Sequence, residues 1–242
     1  MTIDNYEDEE GVSKQFDTSP FFHQFISNAF IMEYIDIHTH RIPKSKSAGP
    51  ITCLNWIIGK EKPDFGFLSA GIHPWFIEKE GEEQWALLEK EACAPEIRMI
   101  GEAGLDKLMI TPWETQIRLL RAQIRLSESL HKPLILHCVK AWSELMSLHK
   151  EFKPVQPWII HGFRGKKELA EQLIQQGFYL SFGERFRKDS LYVAWPDHLF
   201  LETDESLLPI SEIYQSIASA LQIPIEQLAL QVEKNFQSLF LF

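Results

Sequence analysis

Short apolar segments rich in β-branched and aromatic residues recur along this chain, and most are followed by a longer segment with helical periodicity. Eight such segments can be identified, at residues 33–38, 53–58, 67–71, 99–101, 134–137, 158–161, 178–182 and 199–203. Their alternation with helical patterns is typical of a parallel sheet assembled from strand–helix–strand units. Eight strands with intervening helices predict an α/β fold, a TIM-type (β/α)8 barrel.

The segments between the strands differ in length. The clearest helical pattern follows Thr111, which is a candidate N-cap before Pro112 in the first turn, with Glu114 completing a capping box. Further helical patterns lie at 82–91, 143–150, 166–176, 210–221 and 225–240. Only 12 residues (41–52) separate the first two strands and only eight (59–66) the next two, which is too few for a crossover helix. We therefore expect shortened crossovers after the first two strands.

The first 31 residues differ in composition from the rest of the chain. They hold six acidic residues against the single Lys14, and they show no clear alternation of apolar and polar positions. We expect residues 1–31 to be an acidic, weakly structured N-terminal extension. Residues 32–242 are expected to form the barrel as one domain, a size common for this architecture.

Composition excludes several classes of protein. The formal net charge of −10 argues against binding nucleic acid through a broad basic surface, although bound cations can still hold a phosphate on an acidic protein. Cys53, Cys93 and Cys138 form no CxxC pair, so neither a disulfide framework nor a cysteine zinc site is indicated. No apolar run is long enough for a membrane span, and the acidic N-terminus is unlike a signal peptide. These features predict a cytoplasmic protein with no membrane association and no obligate protein partner.

Metal-binding side chains stand at the ends of many predicted strands. These residues are His38, His40, Glu102, His137, His161 and Asp204. The C-terminal strand ends of a barrel converge on one face, so residues that are distant in sequence meet there. Residues two apart on a strand point to the same side, and His38 and His40 can therefore bind one ion. A lone HxH pair is weak evidence, but its recurrence with later ligand-type residues indicates a metal centre.

The number and type of these side chains bear on the chemistry. Six imidazole and carboxylate ligands exceed the requirement of one tetrahedral zinc, and they suit two divalent ions (Mg, Mn or Zn) that share a bridging ligand. Two such ions can activate a water molecule and neutralise the group under attack. We therefore predict a metal-dependent hydrolase.

The order of the motifs resembles that of a known family. The segments DIHTH, GIHPW, IGEAGLD, LH, HGFRG followed by GFYLSFG, and LETDES are similar to those of the TatD-type metal-dependent deoxyribonucleases of the amidohydrolase superfamily. The resemblance extends from about Ile35 to Phe240. Each motif alone is weak, but six in the family order are specific.

The resemblance implies a role for each matching residue. Glu102 matches the glutamate that reaches both ions, and Asp204 matches the aspartate that ligates and helps to activate water. His73, in the GIHP turn, is expected near the substrate phosphate rather than among the metal ligands. The metal-ligating histidines are then His38, His40, His137 and His161. The implied reaction is phosphodiester hydrolysis, with DNA as the expected substrate.

The sequence departs from the family around this centre. Val139 stands where the family commonly has an arginine, and Lys107 replaces the usual aromatic residue after GLD. Lys107, Lys140 and Arg164 follow predicted strand ends and are candidates for binding anionic oxygens of the substrate. Among the aromatic residues, Trp75 and Phe163 lie beside motifs and are the candidates for nucleobase stacking.

Two other functions remain open from the sequence. The same ligand set could polarise a carbonyl group, which would give an amidohydrolase-like enzyme acting on a small-molecule amide or ester. The short crossovers are also compatible with a non-catalytic metal-binding barrel, although such a protein would not need all six ligand positions.

Overall fold

The eight predicted strands form one parallel sheet in the computed structural model, which describes residues 33–42 and 50–240. The strands follow one another around the sheet in chain order, and each is hydrogen-bonded to the next. They are β1 (Ile35–Thr39), β2 (Ile51–Ile57), β3 (Leu68–Gly71), β4 (Ile97–Asp106), β5 (Leu134–Val139), β6 (Trp158–Ile160), β7 (Tyr179–Phe182) and β8 (Leu199–Leu201).

The sheet closes on itself between its first and last strands. Thr39 and Asp204 form an isolated parallel bridge. The His40 amide donates to the Asp204 carbonyl at 3.1 Å, and the Asp204 amide donates to the His38 carbonyl at 3.0 Å. These bonds confirm the predicted barrel, and they place Asp204 beside the histidine pair of β1.

Seven α-helices accompany the strands in the described part of the chain: α1 (Glu82–Glu91), α2 (Trp113–Leu130), α3 (Trp142–Phe152), α4 (Lys167–Ile174), α5 (Lys188–Ala194), α6 (Ile210–Leu221) and α7 (Ile225–Ser238). Two short 3-10 helices, Pro74–Phe76 and Lys79–Gly81, lie between β3 and α1. Within residues 33–42 and 50–240 no helix is long and apolar enough to cross a membrane.

Most predictions about the connections agree with the structure. No helix lies between β2 and β3, as the short spacing requires. Residues 43–49 in the first crossover, and the proposed extension at 1–31, lie outside the described residues. The short helix α5 was not predicted, because its seven residues span fewer than two full turns and give little periodic signal.

The N-cap prediction for α2 is wrong. Pro112 occupies the N-cap position, and the described residues provide no side-chain cap there. Thr111 instead donates its hydroxyl hydrogen to the Pro74 carbonyl at 3.1 Å. The side chain of Gln116 bonds to the backbone of Asp106 and of Thr111. Tertiary contacts thus hold the loop between β4 and α2 in the place of a local capping box.

The core lies inside the barrel and between the strands and the helices. In β5 the residues Leu134, Ile135 and Leu136 are all fully buried, as expected for a parallel strand covered on both faces. Helix α6 is anchored by Tyr214, whose hydroxyl accepts from the Ile35 amide at 3.0 Å and donates to the Ile35 carbonyl at 3.1 Å.

Close contact between β4 and β5 depends on glycine. A Cβ atom on Gly104 would lie 1.9 Å from the His137 carbonyl oxygen, and one on Gly101 would lie 2.4 Å from that of Ile135. Neither strand position can therefore hold a larger residue without moving the backbone. This tight pairing brings Glu102 on β4 next to His137 on β5.

Candidate metal centre

The carboxylate of Glu102 lies in the middle of a cluster of histidines at the C-terminal end of the barrel. Glu102 is only 2% exposed. Its Oε1 lies 2.7 Å from His161 Nε2, 2.8 Å from His73 Nε2 and 3.0 Å from His137 Nδ1. Three imidazoles that come from separate βα connections or strands therefore meet at one carboxylate oxygen.

The second oxygen of Glu102 faces the first and last strands. Its Oε2 lies 3.2 Å from His40 Nε2 and 3.4 Å from His38 Nε2. Asp204 Oδ1 approaches the same two nitrogens, at 3.6 Å from His40 and 3.9 Å from His38. Asp204 has a φ of 53°, in the left-handed region, which aspartate tolerates better than most residues. The structure therefore brings together all six residues that the sequence singled out as ligands.

Several buried polar atoms in this cluster make no hydrogen bond within the described part of the chain. They include His38 Nε2 and Glu102 Oε2. Leaving buried polar atoms unpaired is unfavourable, by about 1–3 kcal/mol each and more for a charged group. A divalent cation among the ring nitrogens and carboxylate oxygens would satisfy their lone pairs. Four sets of three such donor atoms, each set with its atoms within 4.8 Å of one another, are present. The residues therefore fit a metal site of imidazole and carboxylate ligands.

The pKa values of the ionisable groups in the cluster are shifted in different directions. Burial opposes the charge on Glu102, but the surrounding His161, His137 and His38 hold the pKa of this carboxyl well below its ordinary value. Burial also opposes charging of His161, yet Glu102 and Glu202 raise its pKa well above the usual range. Burial and the nearby Glu202 raise the pKa of Asp204. Glu102 is thus the member of the cluster best stabilised as a permanent anion.

The comparison with known families agrees with this geometry. A family model described as TatD related DNase matches residues 53–241. The chain belongs to the TatD-related DNase family. The match begins in β2, so the histidine pair of β1 lies before it, and only its contacts with Glu102 and Asp204 connect that pair to the cluster.

Two relatives are similar to large parts of this chain. The 3'-5' ssDNA/RNA exonuclease TatD of Erwinia tasmaniensis is 29% identical over 163 residues, which are 63% of this chain and 63% of that protein. The chain thus spans less than two thirds of the length of that relative. The uncharacterized metal-dependent hydrolase YabD of Bacillus subtilis is 26% identical over 202 residues, covering 74% of this chain and 79% of YabD.

A solved structure shares the fold. The crystal structure of YJJV, a TatD homolog from Escherichia coli, superimposes with a TM-score of 0.72 at 20% identity, covering 87% of this chain and 99% of that chain. At this identity the similarity establishes a common barrel architecture for this TatD-related chain.

Behind the histidines lies a set of acidic residues whose role was not recognised in the sequence. Asp36 accepts hydrogen bonds from the Thr203 amide at 2.9 Å and from its hydroxyl at 2.7 Å, and burial raises the pKa of Asp36 to about 7. Glu202 Oε1 accepts from the Gly162 amide at 2.6 Å and lies 3.7 Å from His161 Nδ1.

A third acidic residue contacts another of the histidines. Asp106 Oδ2 lies 3.5 Å from His137 Nε2, the ring nitrogen that faces away from Glu102. Acidic groups in this position fix the tautomer and orientation of a ligating imidazole. The spacing of these acidic residues could have revealed them in the sequence. Asp36, Glu202 and Asp106 each lie two or four residues from a candidate ligand, on the same strand or directly beyond it.

His73 contacts the carboxylate more directly than the sequence suggested. Its Nδ1 accepts a hydrogen bond from the Trp75 amide at 3.0 Å, as the N-cap of the first 3-10 helix. Burial lowers the pKa of His73 in spite of the nearby Glu102. Because Nδ1 accepts from the Trp75 amide, Nε2 is the ring nitrogen that carries a proton. His73 Nε2 therefore points a donor into the cluster, towards Glu102.

The three predicted substrate-binding cations differ in their surroundings. Lys107 forms an ion pair with Glu144 on α3, which partly neutralises its charge. Lys140 and Arg164 are exposed and have no ion pair to another residue in the described ranges. Lys140 has a φ of 54°, in the left-handed region. Of the three, Arg164 and Lys140 are thus the cations whose charge no acidic residue of the described ranges offsets.

Proposed function

We propose that this TatD-related protein hydrolyses phosphodiester bonds of single-stranded nucleic acid, most directly DNA, with water activated by two divalent metal ions. The observation that carries this proposal is the buried Glu102 carboxylate, with histidine nitrogens at both of its oxygens and Asp204 beside them. The name of the Erwinia tasmaniensis relative, a 3'-5' ssDNA/RNA exonuclease, supports this choice of substrate.

Two groups of residues would hold the ions. His38, His40 and Asp204 would form one set of donors. Glu102 Oε1, with His137 and His161 at 3.0 and 2.7 Å, would supply the other, while Glu102 Oε2 faces the first set. Bound Mg, Mn or Zn would lower the pKa of a water molecule and offset negative charge on the phosphate.

The protein's own groups would then orient the reactants. Asp204, whose side chain is 26% exposed, would accept the proton of the attacking water. His73 would lie beside the substrate phosphate; its Nδ1 is engaged by the Trp75 amide, and its Nε2, the donor that remains, faces Glu102 Oε1 at 2.8 Å. Arg164, with Lys140 and Lys107 as secondary partners, pairs with the remaining phosphate charge. A cytoplasmic location stays a prediction.

The proposal is tested by metal analysis of the purified protein combined with hydrolysis of a single-stranded DNA oligonucleotide. We expect metal to copurify or bind, and the oligonucleotide to be shortened in a metal-dependent reaction. A matched control is the Glu102→Gln variant, which keeps the side-chain shape and removes the charge. Metal-dependent cleavage of a small-molecule ester or amide, with no cleavage of DNA or RNA, would overturn the phosphodiester proposal and favour the amidohydrolase-like alternative.

A further inference from the structure

One large aromatic side chain lies exposed next to the metal centre. Trp75 follows His73 and Pro74 in the first 3-10 helix, and it is 47% exposed. Its ring centroid is 5.2 Å from that of His73 and 5.5 Å from that of His137, both of which are buried. The indole therefore extends from the buried histidines to solvent.

The orientation of this indole is fixed. Its Nε1 donates to Asp106 Oδ2 at 2.7 Å. The other oxygen of Asp106 accepts from the Leu108 amide at 2.8 Å, and Asp106 itself is buried. A hydrogen bond to a buried, doubly engaged carboxylate holds an exposed ring in one position. An aromatic surface arranged in this way loses little conformational entropy when a ligand packs on it.

The surroundings of Asp106 leave room for a ligand. A cavity of about 480 Å³ lies along the segment from Asp106 to Gln116; it shares Asp106 with the Trp75 contact, but Trp75 does not line it. On the same loop, Leu108 and Ile110 are exposed, with Ile110 at 97%. Exposed apolar side chains beside a polar site can pack against the face of a planar aromatic group attached to a phosphate. A nucleobase is such a group.

The other aromatic candidates do not share this arrangement. Phe163 is 1% exposed and packs edge-on against Trp142 and Phe182, so it belongs to the core. Tyr192 on α5 is 46% exposed, but its hydroxyl donates to the Ala220 carbonyl on the outer helical layer. Trp75 is therefore the aromatic candidate that is both exposed and in contact with the metal-centre histidines.

We propose that Trp75, oriented by Asp106, is a stacking platform for a nucleobase of the substrate strand next to the scissile phosphate. The inference rests on the proposed phosphodiester hydrolysis and names the part of the substrate that the protein recognises besides the phosphate. Stacking on an aromatic ring accepts any base, because every base has a π-face. We therefore expect kcat/KM to depend on whether the substrate nucleotide carries a base, but to depend little on which base it is.

The test compares two oligomers of equal length and equal phosphate number: an oligothymidylate and a strand made of abasic tetrahydrofuran nucleotides. We expect the parent protein to hydrolyse the oligothymidylate with a kcat/KM about 5- to 100-fold higher than that of the abasic strand. In Trp75→Ala and Trp75→Leu the ratio of the two values should fall towards one. Trp75→Phe, which keeps an aromatic face, should retain most of the ratio.

Tyr192→Ala is the matched control, since it removes an aromatic side chain of nearly equal exposure from the outer layer, and it should keep the parent ratio. An active Trp75→Leu or Trp75→Ala variant with the parent ratio would overturn the stacking role while leaving phosphodiester hydrolysis in place. A parent protein that binds metal but hydrolyses neither oligomer would overturn the proposed function, and this inference with it.

Discussion

The metal centre and the rim of the barrel lie at the same end of the molecule but are held in place by different means. We define the metal centre as His38, His40, Glu102, His137, His161 and Asp204, and the rim as Trp75, Lys107, Lys140 and Arg164. Residues of the metal centre lie within strands or one to three positions beyond them, and each is buried or partly buried. Rim residues lie in the connecting segments and, Lys107 included, are exposed.

Because of this difference, the metal centre and the rim can change independently of each other. The backbone ladder of the sheet fixes the strand ends, so the positions of the ligands relative to one another follow from the pairing of β1, β4, β5 and β8. The rim is attached to loops that can change length and sequence without disturbing that pairing. The departures from the TatD pattern that the sequence shows fall at the rim residues Lys107 and Arg164 and at Val139, the last residue of β5 next to Lys140. The six predicted ligand positions are retained.

The largest expected effect is at the metal centre as a whole. Chelator treatment followed by dialysis should abolish hydrolysis, because water at neutral pH is a poor nucleophile without a bound cation. Adding back Mg, Mn or Zn should restore the rate, and the most effective ion identifies the preferred cofactor. A metal-free sample, verified by elemental analysis, that retained full activity would show that the histidine cluster has another purpose.

Single substitutions in the metal centre come next. Glu102→Gln and Asp204→Asn keep the side-chain shape but remove negative charge from between the histidines, so each should lower kcat by at least about 100-fold. Glu151→Gln is a matched control, because Glu151 pairs with Arg121 on the outer helices and its loss should leave kcat unchanged. Thermal unfolding of each variant checks the fold, and a near-parent rate in either active-site variant would mean that the centre is misplaced.

The residues that support the ligands should have a smaller effect. Asp106→Asn weakens the negative charge opposite His137 Nε2, and we expect metal affinity to fall by about 10- to 100-fold. The measurement is a metal titration followed by calorimetry or by activity. Asp189→Asn, which alters a surface pair with Arg187, is the control. Equal metal affinity in the Asp106→Asn variant and the parent would show that Asp106 serves Trp75 and the loop alone.

The candidate ligands at the strand ends could be predicted from the sequence, because the two-residue period of a strand shows which side chains point to the same side. A histidine pair such as His38 and His40 shares one side of a strand, and a barrel brings such positions together at one end. The same reasoning could have found Asp36, Glu202 and Asp106, which lie two or four residues from a ligand. Spacing within one strand, however, does not show which residue of a neighbouring strand a buried carboxylate contacts.

Contacts between distant loops could not be predicted in this way. The pairing of Lys107 with Glu144 joins residues from two separate connections, and the bond from Thr111 to Pro74 replaces a local cap by a tertiary one. The direction in which His73 points depends on its capping contact with the Trp75 amide. Each case depends on chain segments that meet only after folding, for which sequence spacing gives no signal.

The smallest effect is expected at the rim, where we propose that Arg164 serves the substrate phosphate in place of an arginine at position 139. Removing a charged hydrogen bond to a bound anion typically costs about 1.5–3 kcal/mol, or roughly one to two powers of ten in kcat/KM. Arg164→Ala should therefore reduce kcat/KM on a phosphodiester by about that factor with unchanged metal content. Lys140→Ala should do less, and Lys107→Ala least, because Glu144 already neutralises that ammonium group.

The three rim variants also distinguish a phosphate contact from a general change in surface charge. Arg118→Ala removes the same charge from the outer face of α2, where Arg118 bonds to Glu80, and it serves as the control. If Arg164 contacts the phosphate, Arg164→Ala should reduce kcat/KM more than Arg118→Ala does, at both low and high salt. Exposed charges more than about 10 Å apart are screened at roughly 0.1 M ionic strength, so a long-range charge effect would disappear at high salt. If Arg164→Ala stays within about twofold of the parent on every phosphodiester tested, the substrate anion is held elsewhere, and the loss of the family arginine at Val139 is uncompensated.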